Sequence, residues 1–328
     1  MTIKFNNVYV ENVSTVAGPF VIEGPLKDNF DKKFTDFYDG EKTFEKCEMK
    51  ELKESIKILL DKTKYNEEDI SFGISADLMN QLTISNFVYS NLNIPFLGVY
   101  NACASVCEEI LIAASILENE KNKKAICTTS SHNMTSERQF RNPVEYGAPK
   151  PKTTTFTVTG AASLMLTNAK TDIKVTSATI GKVIDMGVDN VFDMGAVMSP
   201  SAAYTLNEHL KQTKTKVSDY DLILTGDLGV YGKDIFKEIC EKEYNIKLDK
   251  NYDDTATMIY DYKENIYAGG SGPACMPLVV YSSIIPKMKQ RIIKKILLIA
   301  TGALMSPTTC NQKFSIPSVS HAVCLEVI

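Results

Sequence analysis

The sequence predicts an α/β fold with a mainly parallel sheet. Two observations support this prediction. Short apolar runs alternate with amphipathic stretches along the whole chain, which is the pattern of repeated β-α-β units. In addition, short segments of the first half recur in the second half in the same order. The two halves of the chain are therefore expected to be copies of one βαβαβ-type unit.

The first half reads as strands and helices in alternation. Residues 1–13 predict a strand at the N-terminus, and apolar residues at helical spacing predict a helix over residues 49–62. Strands are also predicted at residues 70–74, 95–100 and 124–129, and one or two more within 153–167. A helix of small residues is predicted at 102–117.

The second half follows the same plan. Its predicted strands cover residues 220–225, 295–301 and 321–327, and its predicted helices cover residues 234–243 and 272–288.

Two matched segments indicate the duplication. The segments 69–78 and 221–228 both end in two small residues followed by Asp and Leu, at an offset of 227 − 77 = 150 residues. Segments 101–106 and 272–276 each open a predicted helix before a strand led by two lysines, at an offset of 294 − 123 = 171 residues. We place the boundary between an N-terminal half, residues 1–168, and a C-terminal half, residues 169–328, with an insertion in the second copy.

Composition excludes several classes of protein. The formal charge is 36 − 40 = −4 and the pI is near 5.6, which argues against non-specific nucleic-acid binding. We expect no transmembrane segment, because no stretch offers about 20 mostly apolar residues. The N-terminus also lacks the apolar run of a signal peptide. The eight cysteines form no C-x-x-C pair, and no acidic cluster has the form of a calcium loop, so no metal site is expected.

Cys103 is the most distinctive candidate for chemistry. It lies in Asn-Ala-Cys-Ala-Ser, between a predicted strand that ends at Tyr100 and a predicted helix. At a helix N-terminus, unpaired N–H groups and the helix dipole lower the pKa of a thiol, which suits a nucleophile. The structural alternative is a small buried residue in a crowded turn. Cys107, one turn further on, is expected in the core.

A glycine-rich turn precedes the predicted helix at residues 272–288. Its backbone N–H groups could bind an anion, or its glycines could allow close packing of the helix on the sheet. The sequence leaves both alternatives open. The segment 268–275 contributes Gly269, Gly270, Ser271, Gly272 and Cys275 to the candidate site.

Three polar residues lie at strand ends, where sites often form in α/β proteins. His132 follows the strand predicted at 124–129, Asp227 follows the strand predicted at 220–225, and His321 begins the last strand. Each could instead be structural. The remaining histidine, His209, is expected on a solvated helix face.

The clearest cationic segment covers residues 138–152. It carries Arg138, Arg141, Lys150 and Lys152 with aromatic residues between them. It is expected to be an ordered loop over the sheet. It could hold an acidic ligand, or it could be an ordinary solvated or interface loop.

The duplicated unit and the cysteine of NACAS at the start of a central helix resemble the thiolase superfamily, including the ketoacyl synthases. More specific blocks are GVYNACAS, RQFRNPVEYGAPKP, DMGAVMSP, AGGSGPAC, ATGALMSP and HAVCLEV. Together, in order from about residue 97 to the C-terminus, they resemble the stage V sporulation protein AD family of endospore-forming bacteria. This resemblance implies a thiolase-like fold with five layers, α-β-α-β-α.

The same resemblance implies a role in sporulation. A protein of this family is expected to bind dipicolinic acid, alone or as its calcium chelate, and to support its uptake into the developing spore. It would act with the membrane proteins of the stage V sporulation A operon, as a peripheral protein of the spore inner membrane and as a homodimer. No cofactor is implied.

Departures from the thiolase pattern predict a protein that does not catalyse condensation. Thiolases carry a histidine in a Gly-His-Pro loop, where this chain has GGSGPAC, and a second cysteine in a glycine-rich turn, where this chain has ATGALMSP. Without these groups, Cys103 lacks its activator and the proton relay. His132, His321 and Asn133 could in principle assemble a ketoacyl-synthase set. The alternative function is therefore an acyltransferase that uses Cys103 and an acyl-CoA.

Dipicolinate is a flat aromatic dianion, so its site needs donors or cations for two carboxylates and a flat wall for the ring. We expect N–H groups from the turn at Cys103 and from Gly269–Gly272, and positive charge from a histidine or lysine. The full predicted ligand-binding set is Asn101, Cys103, His132, Lys150, Asp227, Gly269, Gly270, Ser271, Gly272, Cys275 and His321.

Overall fold

The computed structural model describes residues 1–261 and 266–328. It is a mixed α/β protein, as predicted. The helices are α1 (Phe44–Thr63), α2 (Thr83–Tyr89), α3 (Ser105–Leu117), α4 (Asn133–Phe140), α5 (Met194–Thr213), α6 (Gly229–Tyr244), α7 (Ala256–Ile259), α8 (Cys275–Val279), α9 (Ile285–Lys289) and α10 (Pro307–Asn311). The strands are β1 (Thr2–Lys4), β2 (Tyr9–Ala17), β3 (Lys32–Lys33), β4 (Phe72–Ala76), β5 (Phe96–Gly98), β6 (Lys124–Ser131), β7 (Phe156–Thr157), β8 (Gly160–Thr167), β9 (Ile173–Thr179), β10 (Leu222–Thr225), β11 (Tyr252–Asp254), β12 (Gly270–Ser271), β13 (Lys295–Ala303) and β14 (Ser318–Val327).

Two groups of five strands repeat the same order. The spatial order β11-β10-β13-β14-β9 in the second half matches β5-β4-β6-β8-β2 in the first, and a short antiparallel contact between β9 and β2 joins the groups. In each group only one strand, β8 or β14, runs against the others. This common order and direction is what a duplicated unit produces.

The strands and helices stack in five layers. Helix α3 contacts strands of both groups, and α8 contacts β2 and β8. Apolar residues of α3, α8 and α9 share one buried cluster with strands of both groups, so these helices form the middle layer. Helices α1 and α2 cover the outside of the first group, and α5 and α6 cover the outside of the second. The predicted α-β-α-β-α arrangement is therefore confirmed. The boundary between residues 168 and 169 falls in the turn between β8 and β9, and the division into two halves stays a prediction.

Two predicted helices differ in detail from those observed. The segment 102–117 begins with a 3₁₀ turn at Ala102–Ala104, and α3 starts only at Ser105. The segment 272–288 is interrupted by a π-helical turn, Val280–Ile284, between α8 and α9. Pro286 lies at the start of α9 and has no N–H group to continue the helical hydrogen bonds.

The prediction that His209 is solvated is wrong. The imidazole is fully buried in α5, where Nδ1 lies 2.7 Å from Thr179 Oγ1 and Nε2 lies 3.0 Å from the Tyr220 hydroxyl. Burial lowers the pKa of His209 to about 4, so the ring is neutral at pH 7.

All eight cysteines are free thiols, and only Cys103 and Cys310 are not buried. Within residues 1–261 and 266–328, no helix has both the length and the apolar character needed to cross a membrane. The same residues contain no group of three or more His, Cys, Asp or Glu side chains placed to hold a metal ion.

Candidate functional site

The turn that carries Cys103 is held by its neighbours in sequence. Ala102 adopts a left-handed conformation with φ of 49°, and the Ser105 hydroxyl accepts a hydrogen bond from Asn101 N and donates one to Ala102 O. Strand β13 passes directly behind the turn, because a Cβ at Gly302 would lie 2.4 Å from Asn101 O. This packing places the Cys103 side chain in the wall of a cavity.

Beside Cys103 lies a buried carboxyl group, Asp227, which is 1% exposed. Gly272 N donates a hydrogen bond to its Oδ2 at 2.7 Å, and the thiols of Cys103 and Cys275 lie close enough to affect its pKa. Burial, together with the nearby Asp254, raises the pKa of Asp227 to about 8. Asp227 is therefore largely protonated at pH 7.

The Cys103 thiol is not activated in this environment. Although Cys103 is partly exposed, the protein atoms packed around its sulfur desolvate it. This desolvation and the Asp227 carboxyl raise the pKa of the thiol well above the usual value for cysteine, and the Arg141 charge opposes this effect. The expectation that a helix N-terminus would favour the thiolate is thus not met. Cys103 precedes α3, within the 3₁₀ turn, and faces an acid rather than a base.

A second buried acid, Asp254, fixes the loop that carries Asp227. Its carboxyl group accepts hydrogen bonds from Thr225 Oγ1 at 2.7 Å and from the backbone N–H groups of Leu228, Gly229 and Ala256. Burial raises the pKa of Asp254 to about 6 despite these donors. The four donors hold the end of β10 in place, and with it the left-handed Asp227, whose φ is 65°.

Cys103 lines a cavity of about 280 Å³, which we call the Cys103 cavity. Its walls are mostly apolar, and Arg141 provides its cation. The lining residues are Leu78, Tyr100, Ala102, Cys103, Ser136, Phe140, Arg141, Thr157, Met194, Met198, Ser271, Gly272, Ala303, Leu304, Met305 and Ser306.

A larger neighbour, the phenylalanine cavity, has a volume of about 650 Å³. Four aromatic rings form its walls, with two cations and one carboxylate. The lining residues are Phe20, Phe37, Asn133, Met134, Glu137, Arg141, Asn142, Pro143, Val144, Gly147, Ala148, Pro149, Lys150, Phe156, Phe192 and Ile266.

The charged groups of the phenylalanine cavity form one cluster around Glu137. This carboxylate is 1% exposed and pairs with Arg141 through Oε1 at 2.8 Å and with Lys150 through Oε2 at 2.9 Å. The Lys150 ammonium lies 5.7 Å from the Phe156 ring centroid, and the Arg141 guanidinium lies 5.9 Å from that of Phe192. Two cations therefore share one anion beside flat aromatic surfaces.

Arg141 lies in the wall of both cavities. Its Nε donates a hydrogen bond to Val191 O at 3.0 Å, and its NH1 is paired with Glu137. These two contacts fix the guanidinium between the cavities, where it can serve a ligand in either one.

The three predicted residues His132, Asn101 and His321 do not line either cavity. His132 donates from Nε2 to Phe37 O at 3.0 Å and accepts from Met134 N at Nδ1, where it caps α4. His321 accepts from Gly181 N at Nδ1, and its Nε2 lies 2.9 Å from the Asn101 amide. Burial lowers the pKa of both histidines to about 4, so neither provides the expected positive charge at pH 7.

The glycine-rich turn serves mainly to pack the backbone closely. Gly269 O and Ser271 O accept hydrogen bonds from Phe156 N and Val158 N, which extends the pairing of β12 with β7. At Gly270, a Cβ would lie 2.5 Å from Ile259 Cγ2, so a larger residue would have to displace the Ile259 side chain. Ser271 and Gly272 do line the Cys103 cavity. The Gly272 N–H group already donates its hydrogen bond to Asp227.

The structure thus brings Cys103, Asp227, Gly272 and Cys275 together and places Lys150 in the neighbouring cavity. The predicted set lacks Glu137, Arg141 and the four phenylalanines. Arg141 was visible in the cationic segment, and its spacing of four residues from Glu137 is that of a helical ion pair. The phenylalanines come from three separate parts of the chain and carry no local signal.

Comparisons with known proteins agree with this architecture. A family model described as stage V sporulation protein AD (SpoVAD) matches residues 1–326. The chain is 40% identical over 319 residues to "Stage V sporulation protein AD" of Bacillus subtilis (strain 168), covering 97% of this chain and 94% of that protein.

Solved structures with the same fold are more distant in sequence. A variant of OleA from Xanthomonas campestris has 16% identity and a TM-score of 0.60, with 98% of this chain and 99% of that chain covered. Another OleA variant, solved with bound lauric acid and lauroyl-CoA, has 15% identity and a TM-score of 0.60 with the same coverage. The 3-oxoacyl-[acyl-carrier-protein] synthase III of Aquifex aeolicus VF5 has 14% identity and a TM-score of 0.53, with 98% and 99% covered. At these identities the likeness shows the thiolase-like fold alone.

Proposed function

Because this chain belongs to the stage V sporulation protein AD family, we propose that it is a binding protein for dipicolinic acid, alone or as its calcium chelate. In this role it supports uptake of dipicolinic acid into the developing spore and catalyses no reaction. The observation that carries the proposal is the phenylalanine cavity, where aromatic walls surround Arg141 and Lys150.

The chemistry of this cavity matches a flat aromatic dicarboxylate. A guanidinium can bind one carboxylate through two parallel hydrogen bonds, and the Lys150 ammonium can bind the second as a point charge. Phenylalanine rings offer flat apolar surface for the ligand ring. The volume of about 650 Å³ is within the usual range for a small-molecule site.

The surroundings of Cys103 support the absence of catalysis. The thiolate is the nucleophile in cysteine chemistry, and burial beside Asp227 disfavours it. In the thiolase pattern the residue that activates the cysteine is a histidine. Each of the three histidines is engaged elsewhere, His132 with Phe37, His209 with Thr179 and Tyr220, and His321 with Gly181.

One observation favours the alternative, an acyltransferase. Cys103 lines a cavity with apolar walls, which could accept an acyl chain, and the solved structures of similar fold include a synthase. This alternative requires an acyl adduct on Cys103 and release of free CoA.

We further propose that the protein acts at the spore inner membrane as a peripheral protein, with the membrane proteins of the stage V sporulation A operon. Family membership supports this proposal. We also propose a homodimer. Strand β5 is the last strand of its sheet, and Leu97 on it is 45% exposed, so a second copy could pair with this edge.

The binding function can be tested by calorimetry of the purified chain with dipicolinate, with and without calcium. We expect saturable binding that weakens about tenfold in Lys150→Met, since one charge-assisted hydrogen bond is lost. Lys152→Met is the matched control, because Lys152 belongs to the same segment but does not line the cavity. Absence of saturable binding, or equal affinities for the two variants, would refute the proposal.

A second measurement separates the two functions. The chain is incubated with an acyl-CoA, and its intact mass and the released CoA are measured. We expect neither an adduct nor CoA release. An adduct that disappears in Cys103→Ala but persists in Cys310→Ala would establish the acyltransferase.

A further inference from the structure

A third concave region lies in the outer layer of the second half, away from both cavities. We call it the lysine groove. It has a volume of about 770 Å³ and lies between the C-terminal ends of α5 and α6. Its lining residues are Asn207, Leu210, Lys211, Thr215, Lys216, Val217, Ser218, Tyr244, Asn245, Ile246, Lys247, Asp249, Lys250 and Asn251.

The charge of the lysine groove is strongly positive in a protein of net charge −4. Four lysines, Lys211, Lys216, Lys247 and Lys250, face one acid, Asp249. Within residues 1–261 and 266–328, none of these four ammonium groups forms an ion pair with a carboxylate. A lysine in the last turn of a helix can be explained by its favourable interaction with the helix dipole. Of the four groove lysines, only Lys211 has this position, so the dipole does not explain why Lys216, Lys247 and Lys250 are there.

The amide side chain of Asn207 also faces the lysine groove. Asn207 is 5% exposed and is one of the lining residues. Its side chain makes no hydrogen bond to any residue that the structure describes. Its amide oxygen and nitrogen stay accessible to solvent although the residue as a whole is largely buried, so a ligand in the groove can reach them. Asn207 is therefore a free donor or acceptor at the base of the groove.

The duplication provides an internal comparison. Helix α1 ends at Thr63 with left-handed Lys64, and α5 ends at Thr213 with left-handed Lys214, at an offset of 150 residues (213 − 63). At this offset Asp61 corresponds to Lys211. The adjoining pair Glu67 and Glu68 corresponds to Val217 and Ser218, and Asn66 corresponds to Lys216. The equivalent backbone in the first half therefore carries acids, so the fold itself does not require Lys211 or Lys216.

We propose that the lysine groove binds a phosphate-bearing polyanion, with the lysine ammonium groups and the Asn207 amide as hydrogen-bond donors. Lysine binds phosphate as a flexible point charge, and several lysines around one concave surface can contact more than one phosphate oxygen. The ligand could be the headgroup of an anionic phospholipid or a soluble phosphorylated molecule. The proposal is independent of dipicolinate binding, because the groove shares no lining residue with the two cavities.

The test uses the full chain with two probes. One probe is pyrophosphate, measured by calorimetry. The other is a set of vesicles of phosphatidylcholine alone or with phosphatidylglycerol, measured by co-sedimentation. The groove variant carries Lys211→Glu, Lys216→Glu, Lys247→Glu and Lys250→Glu. The control variant carries Lys33→Glu, Lys53→Glu, Lys121→Glu and Lys170→Glu, which are exposed lysines outside the groove and give the same net charge.

We expect the wild-type chain to bind pyrophosphate or the phosphatidylglycerol vesicles, with weaker binding at high salt. The groove variant should lose about tenfold or more in affinity, whereas the control variant should lose much less. Vesicle binding without pyrophosphate binding identifies a lipid headgroup, and the reverse identifies a soluble ligand. Asn207→Leu should weaken binding without any change in net charge.

Three results would overturn the proposal. The first is that neither probe binds, in which case an acidic protein segment becomes the better occupant. The second is that the groove and control variants lose affinity equally, which would indicate non-specific charge attraction. The third is that Asn207→Leu binds as well as the wild type. None of these results bears on the affinity for dipicolinate.

Discussion

At the scale of single residues, the Cys103–Asp227 contact determines thiol reactivity. We expect Cys103 to react slowly with iodoacetamide at pH 7.5, because burial and Asp227 raise its pKa. Asp227→Asn removes the ionisable carboxyl group, so no negative charge can form beside Cys103 as the pH rises, and it keeps an oxygen for the Gly272 N–H group. The alkylation rate of Cys103 in this variant should rise, by about two- to tenfold, and its pH profile should move to lower pH.

The rate is measured by peptide mass spectrometry in a Cys310→Ala background, so that the other thiol that is not buried does not react. A rapid reaction of Cys103 in the unsubstituted chain would contradict the expectation. It would also favour the acyltransferase alternative.

A second residue-scale prediction concerns Glu48, which is 1% exposed. Burial and the nearby Asp77 raise its pKa from 4.5 to about 8 although Ser130 and Thr135 donate hydrogen bonds to it. The folded state therefore holds a proton that the unfolded state releases above pH 4.5. Its stabilising effect is complete below that pH and is lost as the pH rises towards 8.

The free energy of unfolding should thus fall as the pH rises from 5 to 8, because the unfolded chain releases this proton at a lower pH than the folded chain does. Urea denaturation of the wild type and of Glu48→Gln measures this, and the variant should show a flatter pH dependence. Glu54→Gln is the control on the same helix, since Glu54 is partly exposed and paired with Lys32. Parallel pH profiles for wild type and Glu48→Gln would show that Glu48 titrates normally.

The sequence predicts local features of the site better than convergent ones. Neighbouring residues in the sequence are enough to predict the turn at Cys103, the position of Asp227 at a strand end and the glycine-rich turn. That Asp227 contacts Cys103 depends on the alignment of two strands about 120 residues apart in sequence. The neutral state of His132 and His321 likewise follows from burial, which spacing alone does not give.

At the scale of elements, β12 depends on Gly272. This residue has φ of +105°, and a Cβ on it would lie 2.7 Å from Ser131 Oγ. Gly272→Ala should lower the free energy of unfolding by about 3 kcal/mol or more, since it adds a steric clash to backbone strain. Gly40→Ala is the matched control, because Gly40 has φ of +79° and open space around its Cβ position.

The control should lose only about 1 kcal/mol, the cost of the left-handed conformation alone. Equal losses in urea denaturation would show that the space beside Ser131 is not limiting. The Gly272→Ala variant should also alter the Cys103 cavity, because Gly272 lines it.

Short strands and helices with clear periodicity are the elements that the sequence predicts well. Helix α1 and strands β6 and β13 agree with their predicted positions to within a few residues. Helix α5 is not predicted over its full length, because Pro200 and several small residues lie within it. Its stability comes from packing on β13 and β14, which overrides local propensity.

At the scale of the whole molecule, the shared middle layer predicts one cooperative unit. Ile110 of α3 is buried in a cluster that contains residues of both halves. Ile110→Ala should reduce stability by about 2–5 kcal/mol and increase hydrogen exchange in β6 and in β13 together. Leu206→Ala, in the outer cluster of the second half, is the comparison.

The exchange rates are followed by mass spectrometry. If the two halves unfold separately, Ile110→Ala would accelerate exchange in β6 while β13 keeps its protection. That result would contradict the single cooperative unit and favour two independent domains.

The duplication could be predicted because the matched segments lie on equivalent elements: one pair lies on β4 and β10, and the other lies at the starts of α3 and α8, ahead of β6 and β13. The five layers follow once the two halves are stacked through apolar central helices. The sequence does not reveal which outer surfaces have diverged in charge, because this requires knowing which residues share a surface.

The position of Arg141 in two walls has a consequence for occupancy. An anion bound to this guanidinium in one cavity offsets the positive charge that an anion in the other cavity would meet. The two cavities are therefore thermodynamically linked through one cation, and filling either lowers the anion affinity of its neighbour by the same factor in both directions. An anionic molecule designed to bind in the Cys103 cavity would thus weaken the binding of an anion in the phenylalanine cavity without entering it.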